Sequence, residues 1–289
     1  MRGVVFLLVL PTLHADERTQ KMMARVSEEA EAFRTVAPQM LGKEMLHQRA
    51  MKAPPRFRPR VGAAVRAPLP PEWQERDIVS EYGFASLSGS LHELRQVTVV
   101  DGRKVADDKK AQDALAKAVT ATDDARKKEV LKQFEKYGLR GAVTDFGQSI
   151  LLFMRGELDR YEFTLKGEEM LLGFRVLVFA YKQIDGPKTL TLVQADKGSQ
   201  VSDLDIEGEI WVRQDNYLPL RITVVAGEAP REEASVDYAM SPFGVLLPVQ
   251  TLHRELNAGK VTAENKFVYS DFRKFGASSD IKFDAEPDK

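Results

Sequence analysis

The feature that most constrains this chain is a period-two alternation over residues 204–225, LDIEGEIWVRQDNYLPLRITVV. Leu204, Ile206, Gly208, Ile210 and Val212 alternate with Asp205, Glu207, Glu209, Trp211 and Arg213, the pattern of a strand with one buried and one wet face. After Gln214, Asp215, Asn216 and Tyr217 the inward pattern resumes from Pro219 with Leu220, Ile222 and Val224, which predicts an antiparallel hairpin. Such a sheet must lay its apolar face on something. The functional question is what that face covers: the protein's own helices, or a foreign apolar molecule.

The rest of the composition narrows the classes. A formal net charge of -1, from 42 basic and 43 acidic residues, supplies no global field for nucleic acid. With no cysteine, a disulfide framework, a thiolate metal site and a cysteine nucleophile are all excluded. At the start, Arg2 precedes an apolar run from Gly3 to Leu10, a break at Pro11, and Leu13-His14-Ala15 before the charged Asp16. That is the pattern of a signal peptide over residues 1–15, and the run is shorter than the roughly 20 residues that span a bilayer. The expectation is an exported protein, periplasmic or extracellular, with no transmembrane segment after signal removal.

Residues 16–51 read as an N-terminal helical segment. Met22, Met23, Val26, Ala30 and Phe33 recur at helical spacing, and after Pro38 the residues Met40, Leu41, Met45 and Leu46 suggest a second short helix. A linker rich in proline and arginine follows over residues 52–71. Arg49, Lys52, Arg56, Arg58, Arg60 and Arg66 are candidate contacts to a partner or to anionic lipid, against the plainer reading of a solvated spacer. Residues 78–84 and 94–105 read as strands, the latter folded at Asp101-Gly102. Helices are expected over 107–121, over a block capped by Thr122 and ending before Gly138, and over 144–154. From residue 158 onward nearly everything reads as strand. MLLGFRVLVFAY, residues 170–181, is apolar on both faces and predicts one central strand; residues 281–289 predict a last edge strand and a charged tail, the tail being 284–289.

Three stretches, GEIWVRQDNYLPLRI, VDYAMSPFGVLLPVQTLHRE and FVYSDFRKFGASSDIKF, resemble the exported bacterial lipoprotein-carrier (LolA/LolB-like) superfamily over roughly residues 158–283. The resemblance implies an α+β fold: a curved antiparallel sheet, an incomplete β-barrel, with helices packed on its concave side, spanning 72–283 and preceded by the N-terminal helix. It also implies that acyl chains shelter between sheet and helices. The N-terminal segment and the basic linker have no counterpart in that pattern.

Chemistry is sparse. His47, His92 and His253 stand in no HExxH spacing, and Ser149 is outside any GxSxG. Asp203, Asp205, Glu207 and Glu209 share one strand face at about 7 Å intervals, which suits a solvated acidic face better than a cation cage. No cofactor and no metal are expected. The leading expectation is a non-catalytic protein that binds a lipid or a lipidated protein, lined by Phe174, Val176, Ile210, Val212, Leu220, Ile222, Phe267 and Tyr269. An envelope interaction module with an ordinary filled core, and an unrecognised hydrolase, remain open as alternatives.

Overall fold

The computed structural model describes residues 12–52, 72–139, 145–186, 190–194, 200–228 and 230–274. In chain order these form helix α1 (Thr12–Val36), strands β1 (Met40–Met51), β2 (Trp73–Leu87), β3 (Ser90–Val100) and β4 (Arg103–Lys104), and helices α2 (Asp108–Thr120) and α3 (Asp124–Tyr137). Then come β5 (Tyr161–Leu171), β6 (Phe174–Gln183), β7 (Leu190–Gln194), β8 (Gln200–Leu204), β9 (Ile206–Arg213), β10 (Pro219–Ala226), β11 (Arg231–Met240), β12 (Leu246–Asn257) and β13 (Lys260–Lys274). Eleven strands hydrogen-bond in the order β4-β3-β2-β1-β13-β12-β11-β10-β9-β6-β5, an antiparallel sheet that is not closed into a barrel; β7 and β8 pair separately. The chain divides into two compact units, Met1–Arg34 with Phe146–Glu264, and Thr35–Asp145 with Asn265–Lys289.

In the second unit α2 and α3 lie on one face of β1, β2 and β3. Leu115, Ala118 and Val130 meet Leu41, Ala85 and Leu94 in one buried cluster, with two alanines of α2 letting the helix close on the sheet. Each buried leucine of this kind contributes about 1.5–3 kcal/mol. Asp107 caps α2 by accepting from Lys110 N at 3.2 Å. At α3 it is Asp123, accepting from Ala125 N at 2.9 Å, that takes the capping role expected of Thr122. The turn at Asp101-Gly102 is as expected, with φ of 49° and 75° at the two residues.

Three expectations are corrected. Residues 40–51 are strand and not helix, paired with β2 from Leu41↔Gly83 to Met51↔Trp73. Their inward row is Gly42, Glu44, Leu46, Gln48 and Ala50, and the two buried polar members hide the alternation from a hydrophobicity reading. The stretch 144–154 holds a five-residue 3-10 turn, Ser149–Phe153, where a helix was expected. The Tyr238 hydroxyl donates to Gly147 O and accepts from Ile150 N, both at 3.1 Å, so a β11 side chain satisfies backbone groups there. Residues 170–181 are two strands, broken at Leu172-Gly173 with φ of 51° and 85°. Leucine is not a turn-forming residue, which is why the break is invisible in sequence. The expected strand at 281–289 lies outside the described residues.

Candidate functional site

Directly opposed residues of antiparallel strands point to the same face. In the first unit Ile210 stands opposite Phe179 and Ile222, Val212 opposite Leu177, and Ile222 opposite Val236. One apolar, fully buried face therefore crosses β6, β9, β10 and β11. Leu220, also buried, occupies the irregularity in β10 between Pro219 and Arg221.

Four of the eight expected lining residues thus come together, and the other four do not. Val176 is opposite Arg213, and Phe174 lies under the Arg213 guanidinium at 4.4 Å, so both belong to the other face of β6. The cause is that β6 is buried on both sides, Val176 and Val178 as well as Leu177 and Phe179, so apolarity alone carried no parity. Phe267 and Tyr269 lie in the second unit, stacked at 6.4 Å, with Tyr82 4.8 Å from Tyr269.

The apolar face of the first unit is covered by the protein's own segments. Phe153 of the 3-10 turn packs edge-on against Tyr181 at 4.9 Å and Tyr161 at 5.4 Å. Tyr181 is opposite Gly208 and donates its hydroxyl to Thr223 O at 2.6 Å. A Cβ at Gly208 would stand 2.0 Å from that same oxygen, so only glycine admits this close approach of β9 and β10. On α1, Met22, Val26, Ala30 and Phe33 form a completely buried stripe. Arg18 of α1 reaches Glu168 at 3.1 Å, and Glu168, opposite Leu177, lies on the apolar side. That ion pair is 41% and 46% exposed, so it contributes no more than about 1 kcal/mol.

Three histidines are each held by a carboxylate: His47 by Asp77 at 2.8 Å, His92 by Asp145 at 2.9 Å, and His253 by Glu232 at 2.6 Å with Phe146 stacked on its ring. Among the described residues no three His, Asp or Glu side chains are grouped to hold a metal. Glu207 and Glu209 of the acidic row border a shallow hollow of about 490 Å³ on the face away from the core, where Lys182 stands opposite Glu207. Of the basic candidates, Arg49 lies in β1 with its guanidinium 4.3 Å over the Trp73 ring, and Lys52 pairs with Glu72 at 2.8 Å. Arg56, Arg58, Arg60 and Arg66 lie outside the described residues.

The sequence reading missed a buried ionic cluster in the second unit. Arg95 donates from Nε to both carboxylate oxygens of Glu44, at 2.8 and 2.9 Å, and from Nη2 to Glu93; all three side chains are no more than 1% exposed. Asp145 accepts from Glu93 N at 2.9 Å and its own N donates to Glu93 Oε2 at 3.3 Å. Burial, with Asp145 and Glu44 nearby, pushes Glu93 up to about 7 against the pull of Arg95. The hydrogen bond to Asp145 raises His92. The usable signal was Glu93-x-Arg95, two opposite charges on one strand face.

No protein-family model matches the chain. No curated protein matches it either. Among solved structures it is similar to a DUF1329 family protein from Desulfovibrio piger, at 11% identity and a TM-score of 0.39 over 90% of this chain and 95% of that one. It is similar to an outer membrane lipoprotein-sorting protein domain from Vibrio parahaemolyticus, at 10% identity and 0.37 over 93% and 95%. A LolA superfamily protein from Nitrosomonas europaea follows at 12% and 0.33 over 89% and 93%.

Proposed function

We propose that this is a non-catalytic, exported binding protein whose first unit takes an apolar chain, from a lipid or a lipidated protein, against the buried face of β6, β9, β10 and β11. The supporting observation is how that face is covered. The amphipathic helix α1 presents four buried apolar side chains, its Arg18 reaches Glu168 of the sheet in a solvent-screened pair, and a five-residue 3-10 turn covers the Tyr161–Tyr181 side. A chain entering this face replaces the apolar contacts of the cover with its own, at about 0.8 kcal/mol for each methylene buried. The methionine in the α1 stripe is unbranched and adapts to a changed neighbour. Among the described residues no helix is long and apolar enough to cross a membrane.

The test uses the absence of native cysteine. With Arg18→Cys and Glu168→Cys joined by a flexible bismaleimide, α1 is tethered to the sheet without competing thiols. A fluorescent fatty acid should bind the uncross-linked protein and lose at least tenfold in affinity after cross-linking. Equal affinity in both states, or no binding in either, rejects the proposal.

A further inference from the structure

The two ends of the first unit's sheet differ in what they expose. Register places the β5–β6 turn, residues 214–218 and the β11–β12 turn at one end: Val176 pairs with Arg213, Pro219 with Val212, Arg221 with Asp237, and Met240 with Leu246. That end carries Met170 (63% exposed), Leu172 (60%), Phe174 (41%), Met240 (44%) and Phe243 (38%). Around the opposite end, where β6 leaves the sheet, Ile184 is the large exposed apolar residue among the described side chains, and Asp185, Asp205 and Glu228 are exposed beside it. Isolated exposed apolar residues are ordinary; five converging on one end are not.

Leu172 adds a second observation. At the other two-residue turns among the described residues the non-glycine residue with positive φ is Ser88, Asp101 or Ala258, each followed by glycine, while Tyr217, at φ 58°, closes the longer β9–β10 turn. Leu172 takes the same backbone conformation with a large apolar side chain in solvent, where Asn, Asp or Gly would fold better. Folding gains nothing from leucine there.

The chemistry beside these tips is charged in both senses. Phe174, Arg175, Arg213, Gln214 and Asp215 line a hollow of about 410 Å³; Arg213 donates from Nε to Asp215 Oδ1 at 3.0 Å while covering the Phe174 ring. Two guanidiniums and a carboxylate over an aromatic floor match a headgroup carrying phosphate and ammonium together. Apolar residues on separate hairpin tips, including two unbranched methionines, suit a fluid apolar layer better than the contiguous pockets a protein partner fills.

We propose that this end of the first unit docks on a phospholipid surface, with the tips of the β5–β6 and β11–β12 hairpins entering the interface and the hollow around Phe174 taking a zwitterionic headgroup. The contact is on the outside of the sheet and requires no chain to enter the covered face, so it stands or falls apart from the binding proposal. The experiment is co-sedimentation of the full chain with phosphatidylcholine vesicles, comparing it with Leu172→Asn/Phe243→Asn. Both positions are exposed, and asparagine suits the Leu172 turn, so the variant folds. The parent should partition onto vesicles and the variant about tenfold less; adding phosphatidylglycerol should change the parent's partition less than twofold. Unchanged partition of the variant, or a parent that stays in the supernatant, overturns the proposal. So does binding that appears only with phosphatidylglycerol. Light scattering that shows a parent dimer abolished by the double substitution, without vesicle binding, assigns the tips to a second copy of the chain and overturns it as well.

Discussion

The two units build their sheets alike and fix their interiors differently. In the first, the buried face of β6, β9, β10 and β11 is mainly aliphatic and aromatic, its polar members including Gln183, which accepts from Ile206 N, and Glu232, paired with His253 of β12. In the second, β1, β2 and β3 bury an Arg95–Glu44–Glu93 cluster on the face opposite α2 and α3. Aliphatic contact is nondirectional and tolerates exchange of one apolar partner for another. A desolvated ionic cluster holds one geometry, because any displacement strands a charge in low dielectric. The difference assigns adaptability to the first unit and rigidity to the second.

The largest expected effect breaks the rigid side. Arg95→Met strands Glu44 and Glu93 and should cost about 3–5 kcal/mol of unfolding free energy in urea, whereas the triple change Arg95→Met/Glu44→Leu/Glu93→Leu should recover most of it. If the single variant unfolds no more easily than the parent, the cluster does not hold the second unit. On the adaptable side, Ile222→Ala should cost about 2–4 kcal/mol by the same measurement, and a bound fatty acid should recover part of that loss by filling the space. Identical losses with and without fatty acid would remove the distinction between the units.

Next in size is pH. The folded value of Glu93, about 7, lies above the ordinary 4.5, so the folded state holds that proton more tightly. Its stabilisation is complete below 4.5 and is lost as pH rises through about 7; Glu44, raised by its own burial, has the same sign. His92, raised above 6.5 by Asp145, adds stabilisation that is complete below 6.5 and lost at higher pH. Thermal midpoints should therefore fall between about pH 5 and pH 8, and Glu93→Gln should flatten the slope; a parent profile that is flat or rises would contradict the cluster's electrostatics. The smallest effect is at the surface: Leu172→Asn should raise stability by about 0.5–1 kcal/mol through the turn alone, read as a higher midpoint. A lower midpoint would mean that Leu172 is held by contacts within the fold.

Legibility followed the same divide. The β9–β10 hairpin was readable because Ile206, Ile210, Val212 and Ile222 sit inward with polar neighbours between them, and α2 because Ala111, Leu115 and Ala118 repeat at helical spacing. β1 was not, because two of the five residues in its inward row are Glu44 and Gln48, whose burial depends on partners far away in sequence: Arg95 for the first, Asn265 at 2.7 Å for the second. The side chains facing the apolar interior were half recovered, since Ile210, Val212, Leu220 and Ile222 lie on strands with a wet side. Phe174 and Val176 were misassigned on β6, where both sides are buried and the Leu172-Gly173 turn carries no polar signal.

The central claim is that α1 is a removable cover over an apolar face. Hydrogen exchange with and without a saturating fatty acid tests it most directly. The account predicts faster exchange in the α1 amides around Met22 to Phe33 on binding, while β9 and β10 keep their protection. Fatty acid that binds and leaves α1 as protected as before would contradict it.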